Sequence, residues 1–240
     1  MNITTTESVL FSWSGGKDGA MALYELRRTG RYKVLALLTT LTEGYDRICM
    51  HGVREVLLEQ QAACLGLSLS KVRIPKDSDM EEYEAEMQKI LTHYQGLGIS
   101  SVVFGDVFLE DLKEYRRAKL SQMGLGAIFP VWKRDTAELA RTFIDMGFKA
   151  VITCVDTHAI DRAFAGRVFD RRFLRDIPSG VDPCGENGEF HSFVYDGPIF
   201  KKSVPHEVGE IVMRDNRFCF CDLMPTQQDT LAIHDSRDIA

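Results

Sequence analysis

Short apolar runs alternate with longer amphipathic segments over the first two thirds of the chain. Residues 9–13 form an apolar run that ends in Ser14-Gly15-Gly16, and apolar residues then recur at helical spacing from Ala20. Five further runs have strand character: 34–41, 67–74, 99–104, 127–132 and 150–155. Four helical segments separate them: 54–65, 78–94, 111–123 and 136–146. This alternation predicts a parallel sheet covered by helices, as in a Rossmann-like (HUP-type) α/β domain.

The pattern changes after about residue 156. Residues 190–194, 207–214 and 217–223 have strand character with no helix between them, and Asp215-Asn216 is a candidate hairpin turn. We therefore predict two domains and a tail. The predicted bounds are 1–130 for the α/β domain, 131–225 for a smaller α+β domain and 226–240 for a polar, flexible tail.

Composition and charge narrow the class of protein. The 240 residues are 45% apolar and carry a net charge of −6, which argues against nucleic-acid binding by a broad basic face. Six scattered cysteines without a C-x-x-C pair favour reduced thiols. The N-terminus is polar, and no apolar stretch approaches the roughly 18 residues of a membrane span. We expect a cytoplasmic protein with no membrane contact and no direct nucleic-acid contact.

The turn after the first strand has the composition of a phosphate-binding loop. Its sequence from Ser12 to Gly19 is S-W-S-G-G-K-D-G. Glycines let backbone N–H groups approach a phosphate closely, the following helix dipole favours an anion, and Lys17 adds a positive charge. A P-loop would need glycine in place of Phe11 and a hydroxyl residue in place of Asp18, and the Rossmann G-x-G-x-x-G spacing is also absent. The alternative is a tight turn without a ligand.

This turn resembles the S-G-G-x-D-S loop of the PP-loop ATP pyrophosphatases, which hold the pyrophosphate end of ATP and release AMP and pyrophosphate. Gly19 stands where the loop usually has its final serine. The resemblance implies that the turn binds the triphosphate. The residues concerned are Ser12, Ser14, Gly15, Gly16, Lys17, Asp18 and Gly19.

From about residue 10 to residue 223 the chain resembles the diphthine–ammonia ligase family. Four segments carry the resemblance: Ser12 to Gly19, Met50 to Arg54, Gly105-Asp106 with the helix after it, and Gly185 to Phe193. Asp182-Pro183-Cys184, before the last segment, makes the chain most similar to the family's bacterial branch. The resemblance implies an ATP-binding, AMP-forming ligase that makes a C–N bond.

Candidate nucleotide contacts follow the ends of the second and fourth predicted strands. Ligands of open α/β sheets bind outside the carboxyl ends of strands, so Thr39, Met50 and His51 are candidate contacts to the adenine end of ATP. Gly105 and Asp106 lie at the same predicted edge, and Asp18 and Asp106 are candidate ligands of Mg²⁺. The alternative for each aspartate is a helix N-cap.

Two later residues are candidates for proton transfer. Glu189 and His191 alternate at the start of a predicted strand, which would direct both side chains to one face over a substrate. The alternative is a charged hairpin with two exposed side chains. In the helix after Asp106, Glu110, Glu114, Arg116 and Arg117 form a charged face that we expect to be mainly solvated, with an arginine that reaches the active site as the alternative.

The predicted reaction is activation of a carboxylate by adenylation, followed by displacement of AMP by ammonia. Its catalytic residues would be Lys17, Asp18, Asp106, Glu189 and His191. The resemblance implies diphthine on elongation factor 2 as the substrate, or a small-molecule carboxylate in a bacterium. No built-in glutaminase is recognisable, so ammonia would be free or delivered by a partner. A sulfur-transferring PP-loop enzyme acting on tRNA and a nucleotide-sensing module remain alternatives, and a homodimer is one option for the assembly.

Overall fold

The computed structural model describes residues 6–44, 47–48, 52–76 and 78–226. Its N-terminal part is built on five strands: β1 Glu7–Ser12, β2 Tyr32–Thr42, β3 Ser68–Ile74, β4 Ser101–Val103 and β5 Gly126–Ile128. They form a parallel sheet in the order β3-β2-β1-β4-β5. The Rossmann-like prediction is confirmed. β5 is shorter than the predicted 127–132 because the chain bends at Phe129-Pro130, and proline cannot continue the ladder.

Helices cover both faces of this sheet. The helices are α1 Lys17–Arg28, α2 Glu55–Leu65, α3 Met80–Gly96 and α4 Glu110–Gln122. α1 and α2 contribute to one hydrophobic cluster, and α3 and α4 contribute to a second. Gly66 ends α2 in the left-handed region, at the position that the sequence predicts. Among the described residues, no helix is long and apolar enough to cross a membrane.

A second, antiparallel sheet follows α5 Thr136–Asp145. Its strands are β6 Lys149–Asp156, β7 Phe190–Asp196, β8 His206–Arg214 and β9 Phe218–Pro225, and a short helix, α6 Arg171–Asp176, lies between β6 and β7. The order is β7-β6-β9-β8, and Asp215 and Asn216 have positive φ in the predicted hairpin turn.

The strand at 150–155 belongs to the antiparallel sheet and not to the parallel one. Its place in the strand–helix alternation predicts membership of the parallel sheet, although the predicted bounds put these residues in the second domain. In the structure, β6 pairs antiparallel with both β7 and β9. The reason is that a continuous apolar run indicates a strand buried on both faces, which suits the centre of either kind of sheet. The domain boundary at residue 130 stays a prediction.

The larger hydrophobic cluster joins the two sheets. Phe11 of β1 and Leu57 of α2 belong to the same cluster as Phe193 of β7, and all three side chains are fully buried. Stacked and edge-to-face rings of Phe143, Phe148 and Phe169 extend the cluster under β6. The smaller cluster lies on the opposite face of the parallel sheet. The turn after β1 therefore lies between α2 and the second sheet.

Candidate active site

A cavity of about 990 Å³ lies at the carboxyl ends of β1, β2 and β4. It has the size of a site for a nucleotide-sized ligand. Ten of the residues predicted from the sequence line it: Ser12, Ser14, Gly16, Lys17, Asp18, Gly19, Thr39, Gly105, Asp106 and His191. Gly15 and Glu189 do not line the cavity, and Met50 and His51 lie outside the described residues.

We call residues 12–19 the phosphate turn. Two glycines, one in the turn and one after β4, allow its backbone to pack closely against its neighbours. Gly15 has φ of +82°, and a Cβ atom there would lie 2.9 Å from Leu58 Cδ2. A Cβ atom on Gly105 would lie 2.7 Å from the backbone nitrogen of Gly19. The end of β4 and the first turn of α1 therefore meet backbone to backbone. At Gly19 itself a Cβ atom would make only an ordinary contact with Trp13, at 3.6 Å.

Gln61 of α2 fixes the conformation of the phosphate turn, although the sequence analysis does not single it out. Its Oε1 accepts a hydrogen bond from the Trp13 indole at 2.6 Å. Its Nε2 donates to the carbonyls of Gly15, at 3.1 Å, and Val194, at 2.6 Å. The side chain is completely buried, and its one acceptor and two donor positions are all used. Gln61 therefore ties the turn to α2 and to β7 together.

β7 also binds the phosphate turn directly. The Val194 N–H donates to the Gly15 carbonyl at 2.9 Å, and the Lys17 N–H donates to Ser192 Oγ at 3.3 Å. Gly16 is the N-cap of α1, so Asp18 lies in the first turn of the helix and is not the cap. The N-terminus of α1 thus opens on the cavity, with its dipole positive end towards an anion.

Lys17, which is buried, and Asp18, which is partly buried, form an ion pair with Nζ and Oδ2 2.8 Å apart. Burial alone would lower the pKa of Lys17, but the nearby Asp18 and Glu186 carboxylates raise it above its usual value, so the ammonium stays charged. Asp18 Oδ1 is buried and has no hydrogen-bond partner among the described residues. This oxygen is therefore available to a ligand or a cation.

Asp106 pairs with Arg116 of α4. Because α4 begins at Glu110 with Leu109 as its N-cap, Asp106 does not cap that helix. Burial raises the pKa of Asp106 more than the Arg116 guanidinium lowers it, and Asp18 raises it further. Arg116 lies 4.3 Å from the centre of the Phe104 ring and lines the cavity, so the alternative of an arginine that reaches the site is realised. Arg117, by contrast, pairs with Glu114 on the exposed face.

Glu186 is an acidic group of the cavity that the sequence analysis does not select. Burial, and then repulsion by Asp18, raises the pKa of Glu186 to about 8, although Lys17 opposes this shift. Burial and the charge of Lys17 lower the pKa of His191 to about 4, so its imidazole is neutral at pH 7. Both side chains line the cavity next to the phosphate turn.

Glu189 has a different environment from the predicted one. Its carboxylate accepts hydrogen bonds from the backbone of Asp182 at 3.0 Å and Asn187 at 2.9 Å, and from Asn187 Nδ2 at 2.9 Å. The pKa of Glu189 is lowered, because these hydrogen bonds outweigh the effect of burial. Glu189 precedes β7, which begins only at Phe190, so the alternation of side chains along the strand does not extend to it. The contacts favour a role for Glu189 in holding the loop that carries Glu186.

Two arginines from the segment between β2 and α2 bind one aspartate of β9. Arg47 and Arg54 both bind the Asp222 carboxylate, at 2.7 and 2.6 Å. Burial opposes the ionised form, but these two guanidinium groups lower the pKa of Asp222 to about 2. A Cβ atom on Gly52 would lie 2.7 Å from the Phe220 ring. β9 therefore contacts Arg47, Gly52 and Arg54, the described residues on either side of positions 49–51.

Comparisons with known proteins agree on one family. The model of the diphthamide synthase N-terminal domain matches residues 7–125, and that of the diphthamide synthase C-terminal domain matches residues 135–223. The chain is 24% identical over 242 residues to the diphthine–ammonia ligase of Schizosaccharomyces pombe, a match that covers 87% of this chain and 39% of that protein. For the Danio rerio enzyme, the identity is 24% and the match covers 85% of this chain and 88% of the relative.

The human diphthine–ammonia ligase is 28% identical over 186 residues, with 72% of this chain and 66% of the human protein covered. The two domain models follow one another along the chain and span both sheets. The phosphate turn lies in the region that the N-terminal model matches, and the cavity is lined by residues from both matched regions. The chain belongs to the diphthamide synthase family.

Proposed function

We propose that the protein is an ATP-dependent, AMP-forming ligase that activates a carboxylate and joins it to ammonia. The observation that carries the proposal is the phosphate turn, where the N-terminus of α1 and Lys17 face a cavity that is also lined by the acidic side chains of Asp18, Asp106 and Glu186. A site that only binds and senses a nucleotide needs the positive groups alone. The grouping of Asp18, Asp106 and Glu186 supports chemistry in addition to binding.

In the first step, a carboxylate oxygen of the substrate attacks the α-phosphorus of ATP. The bond from that phosphorus to the bridging oxygen of the β-phosphate breaks, and pyrophosphate leaves with the electron pair. The N–H groups of the turn and the Lys17 ammonium stabilise the negative charge on the departing phosphates. Because the turn is tied to α2 and β7, its donors need no rearrangement during the step.

The acidic residues fit a Mg²⁺ ion. Within the described ranges Asp18 Oδ1 has no hydrogen-bond partner, and Asp18 lies close enough to Asp106 to raise its pKa. Among the described residues no group of three His, Cys, Asp or Glu side chains could hold a metal alone. This agrees with Mg²⁺ sites in which one or two carboxylates act together with substrate phosphates. When bound, Mg²⁺ neutralises charge on the triphosphate.

In the second step, ammonia attacks the acyl carbon and the bond to AMP breaks. The nitrogen must lose a proton, and Glu186 is our candidate acceptor, because it lines the cavity and its raised pKa of about 8 makes its ionised form a stronger base than an ordinary carboxylate. The ionised fraction grows as the pH rises towards 8. His191, neutral at pH 7, can accept or donate a hydrogen bond to the same group. We assign Glu189 to holding this loop and not to proton transfer.

The curated relatives are named for diphthine as the acyl substrate, and we carry over that chemistry only as a class: a carboxylate that becomes an amide. The candidates are diphthine on elongation factor 2 and a small-molecule carboxylate. We expect the reaction in the cytoplasm, in keeping with the absence of disulfides among the described cysteines.

Product analysis tests the proposal. Purified protein is incubated with ATP, Mg²⁺, ammonium and each candidate carboxylate, and nucleotides and phosphates are separated by chromatography. We expect AMP and pyrophosphate in equal amounts, dependent on the carboxylate, and at least about a hundredfold loss with Lys17→Met. ADP and phosphate as products would refute the proposal.

A further inference from the structure

β8 is the edge strand of the second sheet, and its outer edge pairs with no other strand among the described residues. It also carries an unusual number of exposed apolar side chains. Val208 is 53% exposed, Ile211 51%, Val212 38% and Met213 41%. Exposed apolar edges are rare in monomers because they template pairing with another chain.

The pairing between β8 and β9 is regular on either side of one irregularity. A register shift lies between Val208 and Ile211, and from Ile211 to Arg214 each residue faces one partner on β9. Ile211 and Met213 share the face of Cys221 and Cys219, and Val212 lies on the opposite face with Phe220. The segment 210–214 can therefore accept a further strand.

The sequence of this segment is complementary to itself when it is read in the antiparallel direction. If two copies pair around Val212, Ile211 of one copy faces Met213 of the other, and Glu210 faces Arg214. Each of these pairs occurs twice because of the twofold symmetry, and both members of each pair lie on the same face of the sheet. Shifting the centre to Glu210 would place His206 opposite Arg214, and shifting it to Ile211 would place Val208 opposite Arg214.

We propose that β8 is a dimer interface at which two copies of this chain pair antiparallel around Val212. The two four-stranded sheets then form one continuous sheet, and the apolar side chains at the edge become covered. Opposite-charge and apolar cross-strand pairs each stabilise such a pairing. The interface is small, so we expect a dissociation constant in the micromolar range, at about 1–100 μM.

The charges give a direct test by analytical ultracentrifugation over a concentration series. We expect the unmodified chain to dimerise, and Glu210→Arg or Arg214→Glu to weaken the dimer at least about tenfold, because each places like charges opposite each other twice. The double variant Glu210→Arg/Arg214→Glu should dimerise again. An equimolar mixture of the two single variants should form a heterodimer, since both of its charge pairs are opposite in sign.

Glu207→Arg is the matched control. It makes the same charge change on the same strand, but before the register shift and outside the predicted pairs. We expect no effect of this substitution on dimerisation. A chain that is monomeric at every concentration would overturn the proposal. So would a dimer that is insensitive to both single variants, since another surface or the segment after residue 226 would then be responsible.

Discussion

On one face of the parallel sheet, α1 and α2 pack into a core that continues into the second sheet, whereas on the other face α3 and α4 pack with a smaller cluster and line the cavity. α1 has seven buried residues among 12, and α3 has one among 17. The first face holds the phosphate turn, and the second leaves room for a ligand. One face of the sheet therefore positions the phosphates, and the opposite face provides the space for the substrate.

The largest expected difference between the faces is in stability. Leu57 of α2 is completely buried, so Leu57→Ala should lower the free energy of unfolding by about 2–5 kcal/mol. Met87 of α3 is only half-buried beside the cavity, so Met87→Ala should lower it by about 1 kcal/mol. Urea denaturation of both variants measures the difference. Equal losses would mean that the two faces are packed alike.

A substitution where the end of β4 contacts the first turn of α1 should reduce activity more than stability. Gly105→Ala places a Cβ atom 2.7 Å from the Gly19 nitrogen and forces the first turn of α1 to move. We expect a destabilisation of about 1–3 kcal/mol and a loss of AMP formation of about a hundredfold. Gly96→Ala is the control, since its Cβ atom would meet nothing within 4 Å. Normal activity in Gly105→Ala would contradict a fixed phosphate turn.

Two adjacent glutamines of α2 sharpen the comparison further. Gln61→Leu leaves the Trp13 N–H and the Val194 carbonyl without this partner and should cost about 1–3 kcal/mol, together with weaker ATP binding. Gln60 is also buried, but its Oε1 has no hydrogen-bond partner in the part of the chain that the structure describes, so Gln60→Leu should be nearly neutral. Thermal unfolding and ATP titration of both variants distinguish them. Equal effects would show that Gln61 has no special role in the turn.

A pH-dependent gain in stability is expected at Glu186, on the side of the site that lines the cavity. Because its pKa in the folded protein is about 8, above the usual value, its stabilising contribution is complete at acidic pH and is lost as the pH rises through about 8. Glu186→Gln should therefore raise the melting temperature at pH 8.5 relative to the unmodified chain, by about 2–4 °C per kcal/mol, and much less at pH 5. AMP formation should fall in the same variant. A pH-independent change in melting temperature would place the raised pKa elsewhere.

Local sequence signals predict the parallel part of the fold and the phosphate turn. The glycines of the turn, the apolar strand before it and the helix after it are contiguous, so their pattern is visible in the sequence. The contacts of Gln61 join residues 46 to 133 positions apart, and no local pattern indicates them. The sheet to which β6 belongs is likewise decided by its partners on β7 and β9.

The choice between Glu186 and Glu189 also depends on non-local structure. Both lie in one glycine-rich segment, and a strand pattern extended from Phe190 back to Glu189 directs Glu189 to the substrate. The loop instead turns its carboxylate onto Asp182 and Asn187, and Glu186 reaches the cavity. A loop conformation set by its own hydrogen bonds is not visible in periodicity.

The central claim is that the turn after β1 binds the outer phosphates of ATP. A crystal structure with Mg²⁺ and an ATP analogue that has a methylene group between the α- and β-phosphates tests it most directly, since the bond to be broken is then inert. The account predicts the β- and γ-phosphates against the backbone N–H groups of residues 15–19 and Lys17 Nζ, with the α-phosphate open to the cavity. An analogue bound elsewhere, with this turn empty, would contradict it.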